Sequence, residues 1–140
     1  MYEERAFQLP TGVTLFTSVS VDPASRVLLV IHGGPDWDHT YLREPLSQLE
    51  GSFRVVLPDL CGCGRSTAGL ADWQYAPDAV VGDLLALLDR LDTATAAVLG
   101  FSYGGLIAQH CPSTCAACPR FTSPLNGCGR TGAGSCPPRG

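Results

Sequence analysis

Residues 98–105, Val-Leu-Gly-Phe-Ser-Tyr-Gly-Gly, constrain this chain more than any other stretch. They read as a buried strand that turns sharply into a helix, with Ser102 at the apex and Gly100 and Gly104 on either side. A turn that tight needs neighbours without a Cβ, because strand and helix approach closely and the backbone enters strained φ/ψ space. Ser102 then sits at a helix N-terminus, where free N–H groups and the helix dipole favour developing negative charge.

The rest of the first 110 residues supplies a frame for such a turn. Two β-rich runs within residues 5–21 flank Pro10-Thr11-Gly12, which predicts a hairpin. Residues 26–31 form a continuous apolar run, the pattern of a strand covered on both faces. Residues 39–50 predict a short helix with Leu42, Leu46 and Leu49 at helical spacing, and Pro45 marks its start or a kink. Residues 53–57 predict a second buried strand, followed by a glycine-rich loop at 60–69. Over residues 77–91, Val80, Leu84, Leu87, Leu88 and Leu91 fall on one helical stripe, with Asp78 in the first turn and Arg90 in the last. Residues 95–100 and 103–110 are the strand and helix around Ser102. The alternation of strand and helix predicts an α/β fold with a mostly parallel sheet and right-handed crossovers.

Three motifs occur in order, each after a buried strand: His32-Gly33-Gly34-Pro35, Asp59-Leu60-Cys61-Gly62-Cys63-Gly64-Arg65-Ser66, and Gly100-Phe101-Ser102-Tyr103-Gly104. Together they resemble the α/β-hydrolase superfamily, and within it the proline iminopeptidase-like branch. The resemblance covers residues 1–110, the N-terminal half of such a protein. It implies the N-terminal part of an α/β-hydrolase fold, a mostly parallel sheet with an N-terminal hairpin that lacks the later strands and cap. Asp36 stands where the branch has the last Gly of its first motif, and Cys61 where it has Arg.

The resemblance also implies roles. Ser102 would attack an ester or an N-terminal, proline-type amide and form an acyl-enzyme. The backbone N–H groups of Tyr103 and Gly34 would form the oxyanion hole. It implies no cofactor and no metal. His32 is expected to be structural, hydrogen-bonded beneath its loop, and His39 to be an exposed residue at a helix start. The glycine loop at 60–66 lacks the Lys-[Ser/Thr] of a phosphate-binding loop.

What the serine needs is missing downstream. No Asp or Glu follows Ser102, and His110 is the only later His. On one helix His110 lies roughly 12 Å along the axis from Ser102, beyond hydrogen-bond reach. A serine without a base is a weak nucleophile, so the expectation is a truncated, inactive chain. At Cys111 the periodicity stops. Residues 111–140 are rich in Cys, Pro and Gly, and they predict a disordered tail, read as the product of a shifted frame or misplaced splice in a GC-rich gene. Two rival readings use other features. Cys111, Cys115, Cys118 and Cys128 would offer thiolates to zinc. The strand at 95–100, with no strand beyond it, would present an apolar open edge that invites self-association, poor solubility or a protein partner.

With a net charge of −4 and no basic run, nucleic acid and anionic membrane are not expected partners. A small ester or peptide substrate is. The start Met-Tyr-Glu-Glu-Arg lacks the pattern of a secretory signal, so a cytoplasmic location is expected.

Overall fold

A computed structural model describes residues 1–21, 24, 26–34, 36–111 and 121–122. The chain opens with a hairpin, β1 (Tyr2–Gln8) and β2 (Thr14–Ser20), paired antiparallel with Phe7 opposite Leu15. Its loop closes through Leu9 N–H to Val13 O at 2.9 Å and Gly12 N–H to Leu9 O at 3.0 Å, with Gly12 at φ +87°. The central strands follow as β3 (Val27–Ile31), β4 (Arg54–Pro58) and β5 (Ala96–Gly100), with helices α1 (Thr40–Leu46), α2 (Pro77–Arg90) and α3 (Tyr103–His110). A two-residue strand, β6 (Phe121–Thr122), completes the sheet in the order β1-β2-β4-β3-β5-β6. The β4–β3, β3–β5 and β5–β6 pairs are parallel, and β2 joins β4 antiparallel. A mostly parallel sheet with an N-terminal hairpin is what the sequence predicts.

The apolar run of β3 is buried at all five positions because both faces of the sheet are covered. Leu29 and Ile31 pack with Leu84, Leu87 and Leu88 of α2 and Ile107 of α3. Leu28 and Val30 face the other way, onto Leu42 of α1. The stripe read on α2 is therefore its core face, and Pro77 begins the helix at a position where a missing N–H costs nothing. Asp83 is the polar member of that buried face, 4% exposed, with a side-chain hydrogen bond to Thr11.

Pro45 sits inside α1, one position before its last residue. It has no N–H for the carbonyl one turn back, and the helix passes directly into a 3-10 turn at Ser47–Leu49. A second 3-10 turn, Asp72–Tyr75, precedes α2 and is not foretold by the sequence pattern.

Two expectations about the last 30 residues change. Phe121–Thr122 is not loose chain but a strand lying parallel to β5 beside Ala96 and Ala97, so the outer edge of β5 is covered over those two residues. From Val98 onward no strand lies on that side among the described residues. The remainder of the expected tail, including Cys115, Cys118 and Cys128, lies outside the described residues. Cys111 does not: it is 3% exposed in the core, and burial pushes its thiol up to about 11. That removes it from a set of thiolates open to zinc.

Candidate active site

The site is built at the carboxyl ends of β3, β4 and β5, where open α/β sheets leave a crevice. Ser102 follows β5 with φ 53° and ψ −117°, a conformation that an L-residue holds only when its surroundings impose it. The surroundings are glycine backbones. A Cβ on Gly100 would overlap the Gly104 carbonyl oxygen, and a Cβ on Gly104 would overlap the Ile31 carbonyl oxygen. With both positions bare, α3 starts hard against β3 and β5, and Ser102 stands exposed at the apex.

Two N–H groups behind the serine are already occupied. Gly104 N–H donates to Phe101 O at 2.9 Å and Gly105 N–H to Ser102 O at 2.8 Å. Tyr103 is the first residue of α3, so its N–H has no acceptor within the helix. The loop after β3 packs directly on this turn. A Cβ at Gly33 would lie 3.2 Å from Ser102 Cβ and 3.2 Å from Phe101 O, while Gly34 holds φ +116°. Gly33 is thus the residue of this loop that meets the Ser102 turn, and Gly34 follows it in the chain.

His32 is fully buried under this loop. Its Nε2 accepts the Leu60 N–H at 3.0 Å, so Nδ1 carries the proton and donates to Gly33 O at 2.6 Å. Burial pushes its pKa down, against the pull of the Gly33 carbonyl. A neutral structural imidazole is the result, in line with its expected role.

His39 is not where the sequence reading puts it. It is 1% exposed, not a surface residue. Its Nδ1 lies 2.6 Å from Asp59 Oδ1, its own backbone N–H donates to the same oxygen at 3.0 Å, and its Nε2 lies 2.7 Å from Ser18 Oγ. Asp59 also accepts the Arg65 N–H at 3.1 Å. Burial raises the Asp59 carboxyl, but the hydrogen bonds from the His39 ring and from the Arg65 and His39 N–H groups outweigh it and hold it below the usual range.

His110 ends α3, and its Nδ1 meets Asp78 Oδ1 at 3.2 Å on the surface. It takes no part in the site. Beside the serine turn, an open crevice of about 330 Å3 is lined by Asp36, Leu60, Cys61, Tyr75, Val80 and Tyr103, among others. On the other side stands a lip of aromatic rings: Trp37 meets Tyr41 edge-on at 5.3 Å, and Tyr41 meets Phe101 at 5.9 Å. Among the described residues no group of three or more His, Cys, Asp or Glu is placed to hold a metal ion. No helix among them is long and apolar enough to cross a membrane.

A mixed sheet with a serine on a strand-to-helix turn, faced by a glycine loop from the neighbouring strand, defines the class. A family model described as alpha/beta hydrolase fold matches residues 26–114, and the chain belongs to that family. It is 34% identical over 93 residues to an epoxide hydrolase of Caballeronia sordidicola, an alignment covering 66% of this chain and 28% of that protein. It is 38% identical over 110 residues to the magnesium-chelatase 30 kDa subunit of Rhodobacter capsulatus, covering 76% of this chain and 37% of that one. Among solved structures, a proline iminopeptidase-related protein from Thermus thermophilus superposes with a TM-score of 0.71 at 29% identity, over 79% of this chain and 39% of that chain. The chain therefore spans between about a quarter and two fifths of the length of these relatives.

Proposed function

We propose that this chain carries the nucleophile half of a serine hydrolase that cleaves an ester or an N-terminal, proline-type amide through an acyl-enzyme on Ser102. The observation that carries the reading is the backbone of Ser102, held at φ 53° at an exposed apex with the Gly33-Gly34 loop packed against it. The Tyr103 and Gly34 N–H groups are the donors for the oxyanion.

The relatives include epoxide hydrolases, and the elbow residue decides between the two chemistries. A serine alkoxide that opened an epoxide would be left as an ether, which has no carbonyl to which water can add. A serine that attacks an acyl carbon leaves an ester, which water cleaves. Turnover through Ser102 as nucleophile therefore favours acyl substrates. The exposed rings of Trp37, Tyr41 and Phe101 suit an apolar group on that substrate.

The base and its orienting acid are not among these 140 residues: no acid follows Ser102 in the sequence, and His110 is bound to Asp78. The sequence spans only 28% to 39% of the length of the relatives described above. A serine without a base would rely on binding and oxyanion stabilisation, which in a model protease retain roughly 10³–10⁴ over water. A fluorophosphonate probe tests the reading. Slow labelling of the wild type, absent in Ser102→Ala, supports it. Labelling that persists in Ser102→Ala, or none in either protein after prolonged exposure, removes it.

A second reading rests on the sheet edge. β6 covers only Ala96 and Ala97, while Leu99, Phe101 and Leu106 are 37%, 50% and 45% exposed. A non-catalytic chain that binds a partner there would form a complex of fixed stoichiometry and leave Ser102 unlabelled.

A further inference from the structure

Ser18, His39 and Asp59 have the connectivity of a hydrolytic triad: hydroxyl to Nε2 at 2.7 Å, Nδ1 to carboxylate at 2.6 Å. They are not a second hydrolytic centre. Their exposures are 0%, 1% and 2%, so no substrate reaches the hydroxyl. A buried network of this kind, with every member satisfied, fixes geometry.

What it fixes is visible from the chain path. The loop between β3 and α1 runs from His32 to His39. Its first residue is held by the Leu60 N–H, and its last by the Asp59 carboxylate. Both ends of the loop are therefore tied to two consecutive residues at the end of β4. Asp59 is itself fixed: its N–H donates to Phe16 O at 2.8 Å, and its carbonyl accepts the Ser66 hydroxyl at 2.6 Å. Ser18 anchors the outer side of the ring on β2. Between the two ties lie Gly33, whose N–H donates to Tyr41 Oη at 2.8 Å, and Gly34.

We infer that the Ser18–His39–Asp59 chain is a buried clamp that sets the position of the Gly33-Gly34 backbone against Ser102, making His39 a positioning residue for the oxyanion site. The inference rests on the assignment of the Gly34 N–H to the oxyanion. The ring acts through the loop and touches no substrate. Its Nδ1 lies against the Asp59 carboxylate and its Nε2 against the Ser18 hydroxyl, so both ring nitrogens are held from buried partners.

Nuclear magnetic resonance on the full chain tests the clamp without relying on activity. The wild type is expected to show a ring N–H proton far downfield from the short His39–Asp59 bond, separate from that of the buried His32–Gly33 bond, which stays in every variant. His39→Leu abolishes the His39 proton and moves the Gly33 and Gly34 amide peaks. His39→Asn, whose side-chain N–H can still reach Asp59, returns both amides towards their original positions. Fluorophosphonate labelling of Ser102 falls roughly ten- to a hundredfold in His39→Leu and recovers in His39→Asn. Where leucine prevents folding, Ser18→Ala carries the test: the His39 ring proton and both glycine amides must move together. Absence of the His39 ring proton in the wild type, or glycine amides that stay fixed in a folded His39→Leu or in Ser18→Ala, overturns the clamp. A wild type that is never labelled, with the amides responding as described, overturns the serine hydrolase reading and leaves the clamp standing.

Discussion

Gly104 of α3 rests its α-carbon on the Ile31 carbonyl at the end of β3, so closely that a Cβ there would overlap the oxygen and lie 2.6 Å from His32 O. Its neighbour Gly105 has room, with nothing nearer than 3.6 Å to an added Cβ. Gly104→Ala is expected to destabilise the chain by about 1–3 kcal/mol, because the clash is with backbone that cannot rotate away. Gly105→Ala is expected to be neutral or to stabilise by up to about 1 kcal/mol through helix propensity. Denaturant midpoints of the two variants check this, and equal midpoints would show that the helix does not start against β3.

Asp83 gives a pH dependence of definite sign. Burial raises its carboxyl above the ordinary value, against a lowering hydrogen bond from Thr11. The folded state therefore binds this proton more tightly than the unfolded state, and the stability linked to it is lost as pH rises through the raised folded value. Asp83→Asn keeps a partner for Thr11 and removes the charge. It should raise the unfolding midpoint more at pH 7 than at pH 3. Asp59 runs the other way: its lowered carboxyl contributes stability above the unfolded value that is lost as pH falls through the folded one.

How far the sequence foretells this structure depends on how local each signal is. The buried run of β3, the stripe of α2 and the glycines around Ser102 each announce themselves within one element, through period or through an absent Cβ. His39 does not. A single histidine before a short helix carries no periodicity, and its partners Ser18 and Asp59 stand 21 and 20 residues away. They meet because β2 and β4 are neighbours in the sheet, which no local pattern reveals. The Asp59 motif is legible as a family mark, yet its use as the pier of the glycine loop is not. The pairing of Phe121–Thr122 with β5 is hidden for the same reason, since two residues in a stretch without period give no strand signal.

Cys61, Cys63 and Cys111 are 5%, 6% and 3% exposed, and burial raises each thiol to about 11. Thiol reagents attack the thiolate, so all three should resist a disulfide reagent at pH 8 in the native chain and react on unfolding. Peptide mapping after a short exposure separates them from the four other cysteines of the sequence. Native labelling at Cys61 or Cys63 would mean that the 60–66 loop opens away from Gln74, whose carbonyl lies 3.7 Å from Cys61 Sγ.

Ser102 holds a positive φ that a glycine would adopt without steric cost. The strain in such a residue is on the order of 1–3 kcal/mol, partly offset by the backbone freedom that a glycine loses on folding. Ser102→Gly should therefore stabilise the chain by roughly 1 kcal/mol, whereas Ser102→Ala, which keeps the Cβ, should leave stability nearly unchanged. Both variants lose the hydroxyl, so the comparison separates backbone strain from side-chain interactions. Guanidinium unfolding of the three proteins decides it. A glycine variant no more stable than the alanine variant would show that the turn is unstrained, and that Ser102 is not held upright by its surroundings.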